Sequence, residues 1–205
     1  MNYPSITNTI YPIVNPLAMT RTLHQLSKGL EIKEVFYPNQ MTEIGKFRIR
    51  GWKNESGVNP DFFAKDLWLD EIDRFSHHWV ATVNQTIVAV SRLSFHDSLS
   101  DVPYANLLKP EHRPYFENRR IASINRLVVA PEYRGMGLAG QMDRIRIECA
   151  TRQADVMIAF PQLSRIESLQ RKGFVLIEQL ENIPEMPERP FFVMALDLKK
   201  GSIDE

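Results

Sequence analysis

From Glu31 to Tyr37 apolar and polar positions alternate weakly, which predicts a first strand. From Gln40 to Lys53 the spacing turns helical, with Met41, Ile44 and Trp52 on one side. Asn54 to Pro60 is rich in turn formers, and Phe62 to Phe75 reads as a second helical or mixed stretch. His78 to Val83 and Thr86 to Leu93 have the composition of strands, and the tight Asn84-Gln85 junction predicts a hairpin. A long connection, Asp97 to Arg120, holds Pro103, Pro110 and Pro114 and leads into a strand over Ile121 to Val129. Leu138, Met142, Ile145 and Cys149 then form one helical stripe that would pack on a sheet. Ala154 to Phe160 reads as the next strand. Ser164 to Lys172 reads as a short helix, with Ser164 and Glu167 as a capping box and Gly173 as its stop. Phe191 to Leu198 is the last strand. Antiparallel strands followed by a strand–helix–strand–helix–strand run predict an α/β fold with a mixed, mostly antiparallel sheet flanked by helices.

Residues 1–30 carry Pro4, Pro12 and Pro16 and few charges, so they read as an extended arm with a short helix over 18–28. The arm would cover an apolar surface or be exchanged within a homodimer, and the sequence leaves both open. Residues 31–200 suffice for a single domain. The chain has 205 residues, 43% of them apolar, and a formal net charge of zero, which suits one ordinary core. That balance gives no support for nucleic-acid binding. No apolar run approaches the ~20 residues that span a bilayer, and no secretion signal is visible at the N-terminus, so the expected location is cytoplasmic. Cys149 is the sole cysteine, so no internal disulfide is expected, and its place on the stripe makes it a core thiol. His77 and His78 would face opposite ways on a strand and cannot share a metal; no metal site is expected.

The chemistry concentrates in Asn125 to Gly140: a strand, a proline stop at Pro131, a glycine-rich loop and a helix start. Such a loop aims several N–H groups at one spot beside the positive end of a helix dipole, which attracts phosphate. Gly135, Gly137 and Gly140 match the dinucleotide pattern G-x-G-x-x-G. That pattern needs a strand running straight into the first glycine, whereas Pro131 to Arg134 intervene here. Asp155 precedes the next apolar run instead of closing it, so it sits at the wrong end of a strand to hold a ribose.

The alternative pattern is Arg/Gln-x-x-Gly-x-Gly/Ala after a strand ending Val-x-Pro. Val129-Ala130-Pro131 and Arg134-Gly135-Met136-Gly137-Leu138-Ala139 meet it. This resembles the coenzyme A pyrophosphate loop of the GNAT superfamily of N-acetyltransferases. Arg171-Lys172-Gly173-Phe174 resembles that family's lysine-leucine-glycine-phenylalanine corner, and the order of elements follows the family over roughly residues 31–198. The resemblance implies a GNAT acyl-CoA N-acyltransferase-like fold and a transferase that moves an acetyl or other acyl group from coenzyme A to a small-molecule amine by direct attack. It implies that Leu127, Val128 and Val129 offer main chain to the pantetheine arm, that Arg134, Gly135, Met136, Gly137, Leu138 and Ala139 receive the pyrophosphate, and that Gly140 lets the helix approach closely. Gln162 stands where the family often has a pantetheine-binding asparagine. Leu169 stands where it often has a tyrosine that protonates the leaving thiolate; Ser164, Ser168 or a water would substitute. A loop that only turns the chain is the plain alternative.

An amine of pKa ~10 must lose a proton before it attacks, so a base is needed. Candidates are His96 and Asp97 at a strand end, and Asp70, Glu71 and Asp73. A second resemblance adds to the picture. Arg48 and Trp52, one helical turn apart, Asp70 and Asp73, Arg92, and Arg126 follow the order seen in the N-acyl amino acid synthases and acyl-homoserine-lactone synthases, a branch of the same fold. Ser123 replaces the acidic residue expected three before the last arginine. These six residues would serve substrate binding or form an ion network bracing the sheet. Segment 97–120, with Tyr104, Leu107, Leu108, Tyr115 and Phe116, would wall a pocket or form a surface loop with one buried helix. The expected cofactor is acetyl-CoA or another acyl-CoA. The alternatives are a synthase fed by an acyl carrier protein thioester and a CoA-binding module without catalysis.

Overall fold

The computed structural model describes residues 29–53, 55, 57–59, 61, 65–180, 183 and 186–199. The expected arm, apart from its last two residues, lies outside them. A seven-stranded sheet runs in the order β1-β2-β3-β4-β5-β7-β6. Its strands are β1 (Leu30–Val35), β2 (His77–Val83), β3 (Thr86–His96), β4 (Ile121–Val129), β5 (Val156–Ala159), β6 (Val175–Leu180) and β7 (Phe191–Asp197). Only β4 and β5 pair in parallel; every other neighbouring pair is antiparallel. Among the described residues three α-helices accompany the sheet: α1 (Met41–Lys53), α2 (Leu138–Ala150) and α3 (Leu163–Gln170). Among the described residues no helix is long and apolar enough to cross a membrane.

The β2–β3 hairpin turns on Asn84 and Gln85, both at positive φ (49° and 65°), the conformation of a type I′ turn. On one face of the sheet Met41, Ile44 and Phe47 of α1 pack on Val80, Val90 and Val128. On the other, Leu138, Met142 and Ala150 of α2 and Leu169 of α3 pack on Trp79, Ala89, Leu93, Ala122 and Met157. Segment 97–120 is no loose surface loop. It forms three short 3-10 turns, Leu99–Asp101, Ala105–Leu107 and Pro110–Phe116. Val102, Ala105, Leu108 and Phe116 from it cover Ile121, Val156, Ile158 and Val193, on the α1 side of the sheet.

Three expectations need correction. The described part of 62–75 holds no α-helix, only bends and a 3-10 turn, Glu71–Phe75. There the Asp73 carboxylate takes the Asp70 N–H at 2.8 Å, and Asp and aromatic residues have low helix propensity. Helix α3 is capped by Gln162, and Ser164 lies inside it, so there is no Ser164–Glu167 capping box; Glu167 instead pairs with Arg171 one turn on. Strand β6 has no counterpart among the elements expected from periodicity. As an edge strand it leaves Val175 and Leu176 exposed and buries Glu178 and Leu180, so it lacks a clean alternation.

Candidate functional site

Strand β4 does two unusual things. It pairs with β5 only from Ile121 to Ile124, opposite Val156 to Ala159, and beyond that the two strands are no longer paired. On its other side Asn125 pairs with Arg92 and Val128 with Val90, so Arg126 and Leu127 together oppose Ser91. This bulge puts Arg126 in the left-handed region, φ 53°, at a cost of about 1–2 kcal/mol. The extra residue flips the facing of all that follows. Before it Ala122 and Ile124 face α2; after it Val128 faces α1, where it packs against Ile44 and Phe47. Arg146 of α2, fully buried, fills the defect: its Nη1 donates to the carbonyls of Arg92 (3.2 Å) and Asn125 (3.3 Å). Its other nitrogens reach the Met142 carbonyl at 3.3 Å and the Asp143 carboxylate at 2.5 Å. Asp143 also binds Arg165 of α3 at 2.5 Å, so one buried carboxylate couples the two helices.

The glycine loop follows. Pro131 to Tyr133 form a 3-10 turn that takes up the Arg134 N–H, bonded to the Pro131 carbonyl at 3.2 Å. That amide is spent within the fold. Among the described residues those of Gly135 through Gly140 have no hydrogen-bond acceptor, and the first helical bond is Gln141 N–H to the Gly137 carbonyl at 3.1 Å. Gly135 and Gly137 have φ of 75° and 81°, and a Cβ at either would meet nothing within 4 Å. Leu138, buried, pins the helix start to the core. The result is a bare cradle of unpaired N–H groups on the positive end of α2. The Arg134 side chain donates to the Val129 carbonyl at 3.2 Å and to Glu55 at 2.5 Å, and Glu55 also pairs with Arg189 at 3.5 Å. Asp155 lies elsewhere, before β5, accepting from the Arg120 N–H at 2.9 Å and pairing with Lys199 at 2.5 Å, which removes the dinucleotide reading's ribose ligand.

The parting of β4 from β5 opens a cavity of about 720 Å³. Leu127, Val128 and Val129, then Arg134, Gly135, Gly137, Leu138, Ala139 and Gly140, line one wall, and Gln162, Ser164 and Ser168 line the other; Met136 does not line it. Arg165, Arg171 and Lys172 make its rim basic beside the loop. Tyr104 from the long connection lines it too, edge-on to Phe160 with ring centres 5.8 Å apart. Leu169 also faces the cavity, 2% exposed and wholly apolar, so it has no proton to give.

The six residues of the second resemblance come together. Arg48 reaches Asp73 at 2.8 Å; Arg92 reaches Asp73 at 3.0 Å and Asp70 at 2.5 Å; Arg126 reaches Asp70 at 2.8 Å. The Arg126 guanidinium lies 3.9 Å over the Trp68 ring, and Trp68 meets Trp52 edge-on at 5.3 Å. Trp52, Arg92 and Arg126 line the cavity, while Arg48 and Asp73 are buried behind them. Burial pulls the Arg48 pKa down to about 10, against the pull of Asp73. Burial alone would raise the Asp70 carboxyl, but Arg92 and Arg126 outweigh it and bring it to about 2. Asp73 is lowered in the same way by Arg48 and Arg92. His78 joins from β2: its Nε2 donates to the Asp73 carbonyl (2.9 Å), leaving Nδ1 to accept from Arg48 (3.2 Å), and burial depresses its pKa. His77 faces the other way and contacts Glu34 at 2.5 Å.

Of the candidate bases, Asp97 and Glu71 are exposed and away from the cavity, and Asp70 and Asp73 are committed to arginines. His96 is buried one layer behind the wall, its Nε2 2.8 Å from the hydroxyl of Ser123, which does line the cavity. Ser123, which the sequence offered only as the replacement for an expected acidic residue, and Asn125 line the cavity without having been given a role from sequence. Their signal is present as period-two polar residues in apolar strands: Arg92, Ser94 and His96 on β3, Ser123 and Asn125 on β4.

Solved structures share this architecture. FeeM, an N-acyl amino acid synthase from uncultured soil microbes, superposes with a TM-score of 0.65 at 11% identity, over 83% of this chain and 92% of its own. The AHL synthase LasI gives 0.56 at 12% identity, over 82% and 89%. Arabidopsis thaliana NAA60, in complex with acetyl-CoA, gives 0.55 at 9%, over 82% and 98%. At such identities the likeness is one of fold. No curated protein sequence matches the chain. Residues 46–155, more than half of the 205, match the model of the Acetyltransferase (GNAT) family, and with the open β4–β5 slot and the bare glycine loop this places the chain in that acyltransferase family.

Proposed function

We propose that this protein transfers an acyl group from a coenzyme A thioester to an amine by direct attack. The observation that carries the reading is the cradle at Gly135–Gly140: unpaired amides on a helix N-terminus, two positive-φ glycines with open space above them, and a cavity running from there along the free edge of β4. A pyrophosphate suits those amides. The main chain of Leu127 to Val129 on the side of β4 that β5 leaves unpaired suits a pantetheine arm, which carries amide groups of its own, although the Val129 carbonyl there already accepts from Arg134. Arg165, Arg171 and Lys172 suit further phosphate charge. Holding thioester and amine in one slot supplies the proximity that a two-substrate reaction needs. Acetyl-CoA titration by calorimetry, then release of free thiol with a panel of primary amines, tests the reading. Thiol release that never exceeds hydrolysis refutes enzyme action and leaves a binding module.

A second reading has its own support. Arg48, Arg92 and Arg126 carry three positive charges against the two of Asp70 and Asp73, with His78 held neutral, so a net positive charge borders the cavity beside Trp52 and Trp68. That field suits an acceptor bearing a carboxylate, as an amino acid does, and the N-acyl amino acid synthase is among the structures it resembles. The donor would then be an acyl carrier protein thioester. Comparing acetyl-CoA with long-chain acyl carrier protein, each with an amino-acid panel, decides between the two.

A further inference from the structure

An arginine can only donate hydrogen bonds, and this orients a chain of polar groups on the cavity wall. Arg92 Nε–H donates to Asn125 Oδ1 at 2.6 Å. The Asn125 amide is thereby fixed with Nδ2 toward Ser123 Oγ, 3.2 Å away. Nδ2 is a donor, so Ser123 Oγ accepts there, which leaves its own hydrogen free to turn to His96 Nε2, 2.8 Å away. The main chain of Asp101 acts on the ring in the sense that favours its protonated form. With Nε2 facing the Ser123 hydroxyl, a ring proton carried on Nδ1 leaves the Nε2 lone pair for Ser123.

The placement matters as much as the direction. Ser123 pairs with Ile158, one residue before β4 and β5 part, so its hydroxyl stands at the vertex of the slot. His96 sits behind it, 8% exposed. Burial, and then Arg92, hold the His96 pKa below the ordinary histidine range, against the carboxylates of Asp101 and Asp97, so near neutral pH the ring is an uncharged base.

We propose that Ser123 and His96 form a proton relay for the acceptor amine, Ser123 touching the amine and His96 taking the proton behind it. This rests on the acyl-transfer reading above. The amine nitrogen attacks the thioester carbonyl carbon; the C–N bond forms and the C–S bond breaks. The amine proton passes to Ser123 Oγ as the Ser123 proton passes to His96 Nε2. The departing thiolate takes a proton from solvent, and the imidazolium returns one.

The test uses the full chain, acetyl-CoA and the best primary amine of the panel. Ser123→Ala lowers kcat about 100-fold, the scale of a lost general base, with acetyl-CoA Kd unchanged. Ser123→Thr, which keeps the hydroxyl, restores most of it. His96→Gln matches Ser123→Ala, and the double variant is no slower than the slower single one, because the two act as a unit. The wild-type kcat rises with pH as His96 loses its proton, and this limb is absent in both variants. ¹⁵N NMR of the ring shows the Nδ1–H tautomer. A wild-type kcat in Ser123→Ala, or an Nε2–H tautomer, overturns the relay. If Ser123→Ala fails to fold, the kcat of His96→Gln and the ring tautomer settle the matter. If acetyl-CoA binds but no amine accepts, enzyme action is refuted and the relay falls with it. If acetyl-CoA does not bind, the acyl-transfer reading falls and the relay with it; if the wild type turns over and Ser123→Ala is unimpaired, the relay alone falls.

Discussion

Replacing Asp73 with Asn tests the buried network most directly. Asp73 is 1% exposed and accepts from Arg48 at 2.8 Å, from Arg92 at 3.0 Å and from the Asp70 N–H at 2.8 Å. Asparagine keeps the shape and one acceptor oxygen but removes the charge, leaving three guanidiniums against Asp70 alone. Removing one partner of a buried pair costs about 3–5 kcal/mol, because the remaining charge stays desolvated. At about 2–4 °C per kcal/mol for a chain of this size, Tm falls by roughly 6–20 °C. Urea unfolding followed by tryptophan fluorescence at pH 7 measures the loss, with Trp79 buried and Trp52 and Trp68 partly so. A loss below about 1 kcal/mol, the scale of an exposed ion pair, refutes the reasoning.

The same network sets the acid response. Folded Asp70 is depressed to about 2, so its contribution is fully present above the unfolded carboxylate pKa of ~3.9 and is lost as pH falls from there toward 2; urea midpoints measured across that window decline, and a flat profile contradicts the assignment. Gly137→Ala adds a methyl at φ 81°, facing open cavity, so it costs only about 1–2 kcal/mol of stability while weakening acetyl-CoA binding at least tenfold; unchanged Kd by calorimetry rejects the cradle. Gly51→Ala puts a Cβ 2.3 Å from Val128 Cγ1 and forces α1 away from β4, a loss of about 1–3 kcal/mol by denaturant titration. Arg146→Met strips the donors from the Arg92 and Asn125 carbonyls at the bulge, about 1–3 kcal/mol for each group left unpaired, and hydrogen exchange at residues 126–128 accelerates.

Long regular elements and the glycine loop are legible in the sequence because local rules govern them. The hairpin at Asn84-Gln85, α1, and β4 over Ile121 to Val129 follow from periodicity and turn chemistry. The Ser164 cap fails because Gln162, already extended at φ −73° and ψ 163°, begins the helix two residues sooner. Strand β6 escapes a reading by periodicity because only its partner β7, buried from Phe191 to Ala195, makes it a strand. Asp97 adjoins His96 in the chain, yet successive strand-end residues point apart, and only His96 turns inward.

Residue order alone determined the loop, since glycines at Gly135 and Gly137 are needed wherever main chain must adopt positive φ beneath an approaching anion, and no distant contact alters that requirement. Tertiary structure decided the rest of the site. Whether Arg48, Asp73, Arg92 and Arg126 meet, and which hydroxyl stands before His96, depends on the one-residue bulge at Arg126 and on where β5 stops. Those are properties of strand register, set by the packing of α1 and α2 on opposite faces and by Arg146 inserted between, and a register is shared between strands far apart in the chain.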